Sequence, residues 1–156
     1  MRTIKWLIVT ILASFASTYP LLAADITAVG GWTETIDASD LIAGAGSDLQ
    51  SDYYSATNAT TLDVTAIGNY KIDVRRSDTN WSGDFTLYLK RTSDGTGSGT
   101  ISGGTSYITV SLTDTEFFTG SLDRSGIDVQ YHLAGMSVNI SPDTYSTTMT
   151  FTITDQ

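Results

Sequence analysis

The chain has 156 residues, a formal net charge of −9 and no cysteine. Without cysteine there is no disulfide, thiolate metal site or thiol nucleophile, so packing and backbone hydrogen bonds must hold the fold. The excess of acidic residues argues against nucleic acid or an anionic membrane surface as a partner, because phosphate binding needs a basic patch.

The beginning of the chain has the layout of a secretory signal peptide. Arg2 and Lys5 precede an apolar run from Trp6 to Phe15, and the small residues Ala23-Ala24 close the segment. The apolar run is too short to span a bilayer. We therefore predict a signal peptide over residues 1–24, with cleavage at one of the two alanines.

The remaining residues, 25–156, are expected to form one mature domain. That length is sufficient to bury a single hydrophobic core, and no later run of residues is apolar enough to insert into a membrane. Without the two basic residues of the signal peptide, six basic residues face seventeen acidic ones, a net charge of about −11. We expect the domain to be exported to the periplasm, the cell surface or the cell exterior.

Alternation of apolar and polar residues runs through most of the mature domain, and helical periodicity is nearly absent. Each alternating run predicts a half-buried strand, and the runs are separated by turns rich in Gly, Asn, Ser and Asp. In chain order the predicted strands are Ile26–Trp32, Leu62–Ala66, Tyr70–Val74, Phe85–Leu89, Ile108–Leu112, Ile127–Leu133, Met136–Ile140 and Tyr145–Ile153. Seven or eight such strands predict an all-β fold, an antiparallel β-sandwich of immunoglobulin-like architecture.

The segment from Asp37 to Thr60 interrupts this pattern. It is long, small and polar, and a short helical turn near Leu41 to Ala45 is the regular structure we expect within it. Loops of this length often carry function, although a mobile surface excursion explains the composition equally well.

Four oxygen-bearing side chains stand at alternate positions just before a predicted strand. Asp78, Asn80, Ser82 and Asp84 match the opening of a calcium-binding loop, in which alternate side chains turn toward one point. Leu89 stands where a bidentate glutamate would complete the site. A polar hairpin turn is therefore the favoured interpretation and a calcium site the alternative, and no other cofactor is predicted.

The single histidine, His132, does not indicate catalysis. Alternation places it with Asp128 and Gln130 on the solvent face of a strand, and no nucleophile-elbow sequence accompanies it. Nearly all acidic residues fall in turns or at outward strand positions, where solvation accounts for them. We therefore assign no catalytic residue.

Four aromatic residues are candidates for a sugar-stacking surface. Trp81 lies at a turn, Tyr88 faces outward on a strand, and Tyr53 and Tyr54 lie in the long polar segment. Trp32 is predicted to lie in the core of the sandwich, and Trp81 fits either role. These residues support a carbohydrate-binding domain as an alternative function, with a polysaccharide as partner.

The run from Ser141 to Thr154 resembles the final strand of secreted bacterial pilin-like and surface immunoglobulin-like proteins of uncharacterised function. A Pro-x-x-Tyr lead-in from Pro142 to Tyr145 precedes alternating threonine and apolar residues, over about a tenth of the chain. The resemblance implies a subunit that accepts or donates a strand at a sheet edge, with Asp25 to Ile36 as the candidate donor. The disulfide common in such pilins is absent.

Together these observations favour a non-catalytic structural or adhesive protein of the cell surface or extracellular matrix. Its expected partners are other surface proteins or further copies of itself, with no nucleic acid and no membrane insertion of the mature chain. A carbohydrate-binding domain is the alternative, and a small secreted hydrolase is the third.

Overall fold

The computed structural model describes residues 24–156 and, of the residues before them, only the strand at 7–11. The rest of the predicted signal peptide, residues 1–6 and 12–23, lies outside the described residues. The described strands are β1 (Leu7–Ile11), β2 (Asp25–Glu34), β3 (Asp52–Tyr54), β4 (Thr60–Thr65), β5 (Asn69–Asn80), β6 (Thr86–Arg91), β7 (Thr96–Gly97), β8 (Ile101–Ser102), β9 (Ile108–Thr109), β10 (Thr115–Ser121), β11 (Arg124–Ala134) and β12 (Tyr145–Asp155).

The strands form two antiparallel sheets that pack against each other, which confirms the predicted β-sandwich. One sheet has the order β9-β6-β11-β4-β2, with β3 and β7 also paired to β11. The other has the order β8-β10-β5-β12, and β1 lies between β12 and β2, joining an edge of each sheet. Among the described residues, no helix has the length and apolar character needed to cross a membrane.

The core lies between the two sheets and is built from alternate residues of their strands. In β4, β6 and β11 nearly every second residue is buried, as the sequence pattern predicts for strands with one face inward. Trp32 is also buried, so its predicted place in the core is confirmed. The largest fully buried side chains are Tyr70, Tyr131, Phe118, Leu62, Ile72, Leu87 and Leu89.

Strand β2 pairs with a different neighbour in each of its halves. Asp25–Gly30 pair with β4, whereas Gly31–Glu34 pair with β1. At the change of partner Gly30 has a φ of +116°, and a Cβ atom there would lie 2.3 Å from the carbonyl oxygen of Ala59. Glycine at position 30 allows β2 to change partner here, because it tolerates the positive φ and leaves room for the Ala59 carbonyl.

Two buried arginines hold the glycine-rich segment from 93 to 104 against the sandwich. Within the segment β7 pairs with β11 and β8 with β10, so it reaches both sheets. Arg91 donates from Nε and Nη2 to the carbonyl of Gly103, at 3.1 and 2.9 Å. Arg124 donates from Nη1 to the carbonyl of Asp94 at 2.9 Å and from Nη2 to the carbonyl of Gly99.

The long segment from Asp37 to Thr60 folds against the sandwich. A short 3-10 turn at Ala38–Asp40, capped by the Asp37 side chain, replaces the helical turn that we predicted near 41–45. Leu49 is buried, and β3 pairs with β11. The segment thus adds a strand to the seven-stranded sheet.

The predicted strand from Met136 to Ile140 is wrong, because this run forms a turn. Gly135, with a φ of +92°, follows the end of β11, and the Asp48 carboxylate accepts hydrogen bonds from the Ser137 hydroxyl and the Val138 amide. Val138 is accordingly exposed.

Strand β10 was not predicted, because its residues do not alternate. Phe117 and Phe118 are adjacent in sequence and both buried. The pairing of β10 with β5 shifts register between Glu116 and Phe118, as a β-bulge does, so two successive side chains reach the core.

Candidate functional site

Three adjacent strands of the seven-stranded sheet place a row of stacked rings on its outer face. Tyr54 on β3, His132 on β11 and Tyr88 on β6 occupy directly opposed positions in the register. The His132 ring centroid lies 4.3 Å from that of Tyr54 and 5.0 Å from that of Tyr88, with the ring planes within 11° and 17° of parallel. Directly opposed residues are the closest side-chain neighbours in a sheet, so this stacking follows from the register. We call these three residues the aromatic ladder.

Tyr107, just before β9, packs against one side of the aromatic ladder. Its ring meets His132 edge-on at 5.3 Å between centroids, and its hydroxyl donates a hydrogen bond to Oε1 of Gln130 at 3.0 Å. Nζ of Lys90 lies 4.6 Å from the Tyr107 ring centroid, a cation–π contact. Burial raises the pKa of Tyr107. The Tyr107 ring is therefore held by contacts to two neighbouring strands.

Asp52 orients the imidazole of His132. The two residues form a hydrogen bond of 2.7 Å between Nε2 of His132 and Oδ1 of Asp52, while the Ser51 hydroxyl donates to Asp52 Oδ2. The bond from Ser51, followed by the bond from His132, lowers the pKa of Asp52. The side chain of His132 lies on the outer face, as alternation predicts, but it is only 14% exposed because the rings of Tyr54 and Tyr88 flank it.

The aromatic ladder is open to solvent at its Tyr54 end. One face of the Tyr54 ring is covered by His132, yet the residue is 54% exposed. In the described part of the chain, β3 pairs with β11 alone and so forms a sheet edge, and the Tyr107 ring lies 6.3 Å from the Tyr54 ring at an angle of 51°. The site thus combines a half-exposed ring with the polar groups of Asp52 and Lys90.

The Asp52–His132 pair is not aligned with a nucleophile. Ser51 donates its hydroxyl to Asp52, and no serine hydroxyl of the described residues is hydrogen-bonded to His132. A catalytic triad needs the serine on the histidine and the carboxylate behind it. The described geometry is therefore not that of a catalytic triad.

Two of the four aromatic residues predicted to bind a ligand come together, and two do not. Tyr54 and Tyr88 belong to the aromatic ladder. Alternation in β3 turns Tyr53 into the core, where burial raises its pKa to about 12. Trp81 packs edge-on against Phe85, with 5.4 Å between ring centroids, and makes no contact with the ladder rings.

The first two residues of the predicted calcium loop lie in a strand and have other partners. β5 extends through Asn80. Asp78 forms an ion pair with Arg76 and accepts a hydrogen bond of 2.8 Å from the Thr147 hydroxyl. Asn80 donates its amide to the Asp143 carboxylate at 3.1 Å.

The other two residues of that loop contact each other. The Ser82 hydroxyl donates to Oδ2 of Asp84 at 3.2 Å, within the exposed turn that follows β5. Over the described residues, no group of three or more histidine, aspartate or glutamate side chains is placed to hold a metal ion. Calcium binding stays a prediction from the sequence.

Comparison with known proteins adds no family to this description. No family model matches the chain, and neither a curated protein nor a solved structure matches it. The resemblance of the 141–154 run to pilin-like proteins accordingly stays a prediction.

Proposed function

We propose that the mature domain is a non-catalytic structural subunit, exported to the cell surface or extracellular matrix, which assembles with further copies of itself by strand pairing. The observation that supports this is the position of β1. This strand joins the edges of the two sheets, and its residues belong to the predicted signal peptide. Export would therefore remove a strand from the fold.

Strand β1 pairs with both of its neighbours along their backbones. It runs parallel to β12 over Tyr145–Met149 and antiparallel to β2 over Gly31–Glu34. After cleavage at Ala23 or Ala24, both of these segments would lose their pairing partner on that side. Unpaired strand edges readily accept a strand from another chain.

The β12 edge has the properties of a segment that accepts a strand. Residues Tyr145–Met149 contain no charged residue and no proline, the two features that most often protect an edge from pairing. Thr147 and Met149 are buried on this segment, and both belong to the residues that pair with β1. A second copy offers the same edge, so two domains can pair β12 to β12 about a two-fold axis.

The segment from Asp25 to Ile36, which the resemblance implies as a donor strand, is part of the sandwich itself. Asp25–Gly30 pair with β4, and Trp32 and Ile36 lie in the core. Donating this segment would require a domain swap. We therefore place the association at the edges beside β1.

The test compares the full chain with residues 25–156 by light scattering. We expect the full chain to be monomeric and the shorter chain to self-associate. A synthetic peptide of residues 5–13, added in excess, should return the shorter chain to monomers and raise its unfolding temperature, because it binds the folded state. A scrambled peptide of the same composition is the control.

Two substitutions on β12 locate the contact. Thr148→Lys places a charge beside the vacated edge and should reduce self-association, as lysine does at natural sheet edges. Thr152→Lys, on the same strand beyond the residues that pair with β1, is the matched control and should leave association unchanged. A monomeric 25–156 chain whose stability the peptide does not alter would refute the proposal.

A further inference from the structure

We propose that the aromatic ladder binds a neutral polysaccharide, with a pyranose ring stacked on the open face of Tyr54. Binding at the ladder does not depend on the proposed self-association, because the ladder lies on the outer face of the seven-stranded sheet and not at the edges beside β1.

The Tyr54 ring is presented as a pre-ordered surface. Its inner face stacks on His132 at 4.3 Å, and its cross-strand position is held by the pairing of β3 with β11. The carbon-bound hydrogens of a pyranose form an apolar face that packs on an aromatic ring, whose face carries partial negative charge. Because Tyr54 is already ordered, binding would cost little side-chain entropy.

Polar groups stand where the hydroxyl groups of a sugar would need partners. The Asp52 side chain is 43% exposed, two residues from Tyr54 on the same face of β3, so its carboxylate can accept further hydrogen bonds. On the other side of His132, Tyr88 adds a half-buried phenol. A row of rings flanked by a few hydrogen-bonding groups is the usual make-up of a small-molecule site.

The charge of the protein favours an uncharged ligand. The chain carries a net charge of −9, and the ladder face adds one ammonium group, that of Lys90, which already contacts the Tyr107 ring. A phosphate- or carboxylate-rich polymer would be repelled by such a surface. Stacked rings can also bind single-stranded nucleic acid, but that requires a basic groove.

The experiment is native gel electrophoresis of the full chain through gels containing hydroxyethylcellulose, xyloglucan or glucomannan, and a gel containing anionic polygalacturonate. We expect retardation by at least one neutral polymer. Tyr54→Ala should weaken binding by about tenfold, whereas Tyr54→Phe, which keeps the ring, should retain it. Ile67→Ala is the matched control: it removes an exposed side chain from the turn after β4, which ends beside Arg124 at the start of β11, whereas the ladder lies at His132 near the end of β11.

Each other outcome contradicts the proposal. Migration unchanged by all three neutral polymers would overturn it, and retardation by polygalacturonate alone would overturn the neutral ligand. Equal binding by wild type and Tyr54→Ala would place the site elsewhere. Loss of the stack on His132 should lower the unfolding temperature of Tyr54→Ala only slightly, and binding measured well below that temperature separates lost binding from lost folding.

Discussion

The hydroxyl groups of Thr60 and Tyr131 lie 2.7 Å apart, and both side chains are completely buried. Burial raises the pKa of Tyr131, so its phenol stays protonated and each hydroxyl satisfies the other. Thr60→Val would leave the Tyr131 hydroxyl buried without this partner, and we expect a loss of about 1–3 kcal/mol of unfolding free energy. Tyr131→Phe should cost a similar amount.

The double substitution Thr60→Val with Tyr131→Phe tests the pair itself. Removing both hydroxyls leaves no unpaired polar group, so we expect the double variant to lose less stability than the sum of the single losses. Urea unfolding of the four chains measures this. Strictly additive losses would show that the two hydroxyls do not depend on each other.

Gly30 supplies the second prediction. Gly30→Ala introduces a Cβ against the Ala59 carbonyl at a backbone conformation that L residues rarely adopt, so we expect a loss of about 1–3 kcal/mol. Gly68→Ala is the matched control, because a Cβ there meets nothing within 4 Å. Thermal unfolding should rank the Gly30 variant well below the Gly68 variant. Equal unfolding temperatures would mean that β2 does not need a glycine where it changes partner.

The sandwich could be predicted because most long strands have one buried face, which imposes a period of two on their residues. In β11, Ile127, Val129, Tyr131 and Leu133 are buried at alternate positions, as the pattern indicates. Strand β3 was missed because three residues are too few to display a period. Because β3 was not among the predicted strands, Tyr53 was predicted to lie in an exposed loop, whereas alternation within β3 buries it.

Arg124 supplies the third prediction. Arg124→Met removes the hydrogen bonds to the Asp94 and Gly99 carbonyls, and we expect a loss of about 2 kcal/mol, because bonds from a charged donor are among the stronger ones. Arg75→Met is the matched control, since Arg75 is half exposed and its nearest contact to Asp114 is 3.8 Å. That variant should change stability by less than about 0.5 kcal/mol.

The same pair of variants should differ in proteolysis. We expect the 93–104 segment of the Arg124→Met variant to be cleaved by a nonspecific protease faster than that of wild type, because its anchoring bonds are lost. The Arg75→Met variant should be cleaved at the wild-type rate. Equal protection of the segment in both variants would show that Arg124 does not anchor it.

Acid sensitivity is the fourth prediction. The pKa of Asp52 is lowered from its ordinary value of 3.8 in the folded chain. Its contribution to stability is therefore present above pH 3.8 and lost as the pH falls through the folded-state pKa. Asp52→Asn should lower the unfolding temperature at pH 6, and the difference from wild type should narrow toward pH 2.5.

The size of this effect is limited by exposure of the Asp52 carboxylate, and other carboxylates share the acid response. Hydrogen bonds also lower the pKa of Asp37 and Asp48, so the Asp52→Asn variant should keep part of the acid sensitivity. Thermal unfolding at half-unit pH steps measures the two curves. Curves that stay parallel from pH 6 to pH 2.5 would contradict the assignment.

The candidate site was only partly predictable, for reasons of register. Alternation alone placed Tyr88 on the outward face of its strand, which is correct. That Tyr88, His132 and Tyr54 form one row depends on how three strands are offset along each other, and offsets between distant strands are not encoded in any local pattern. The sequence alone therefore could not predict that the rings of Tyr54 and Tyr88 stack on His132.

The long pairing of β12 with β5 has a consequence for how the chain reaches its native state. The paired positions run from Ser146 opposite Asn80 to Asp155 opposite Tyr70, so the contacts join residues far apart in the chain. Proteins dominated by such distant contacts fold slowly. The four-stranded sheet cannot close until the ribosome has released β12. Until then the backbone groups of β5 that pair with β12 remain open to solvent.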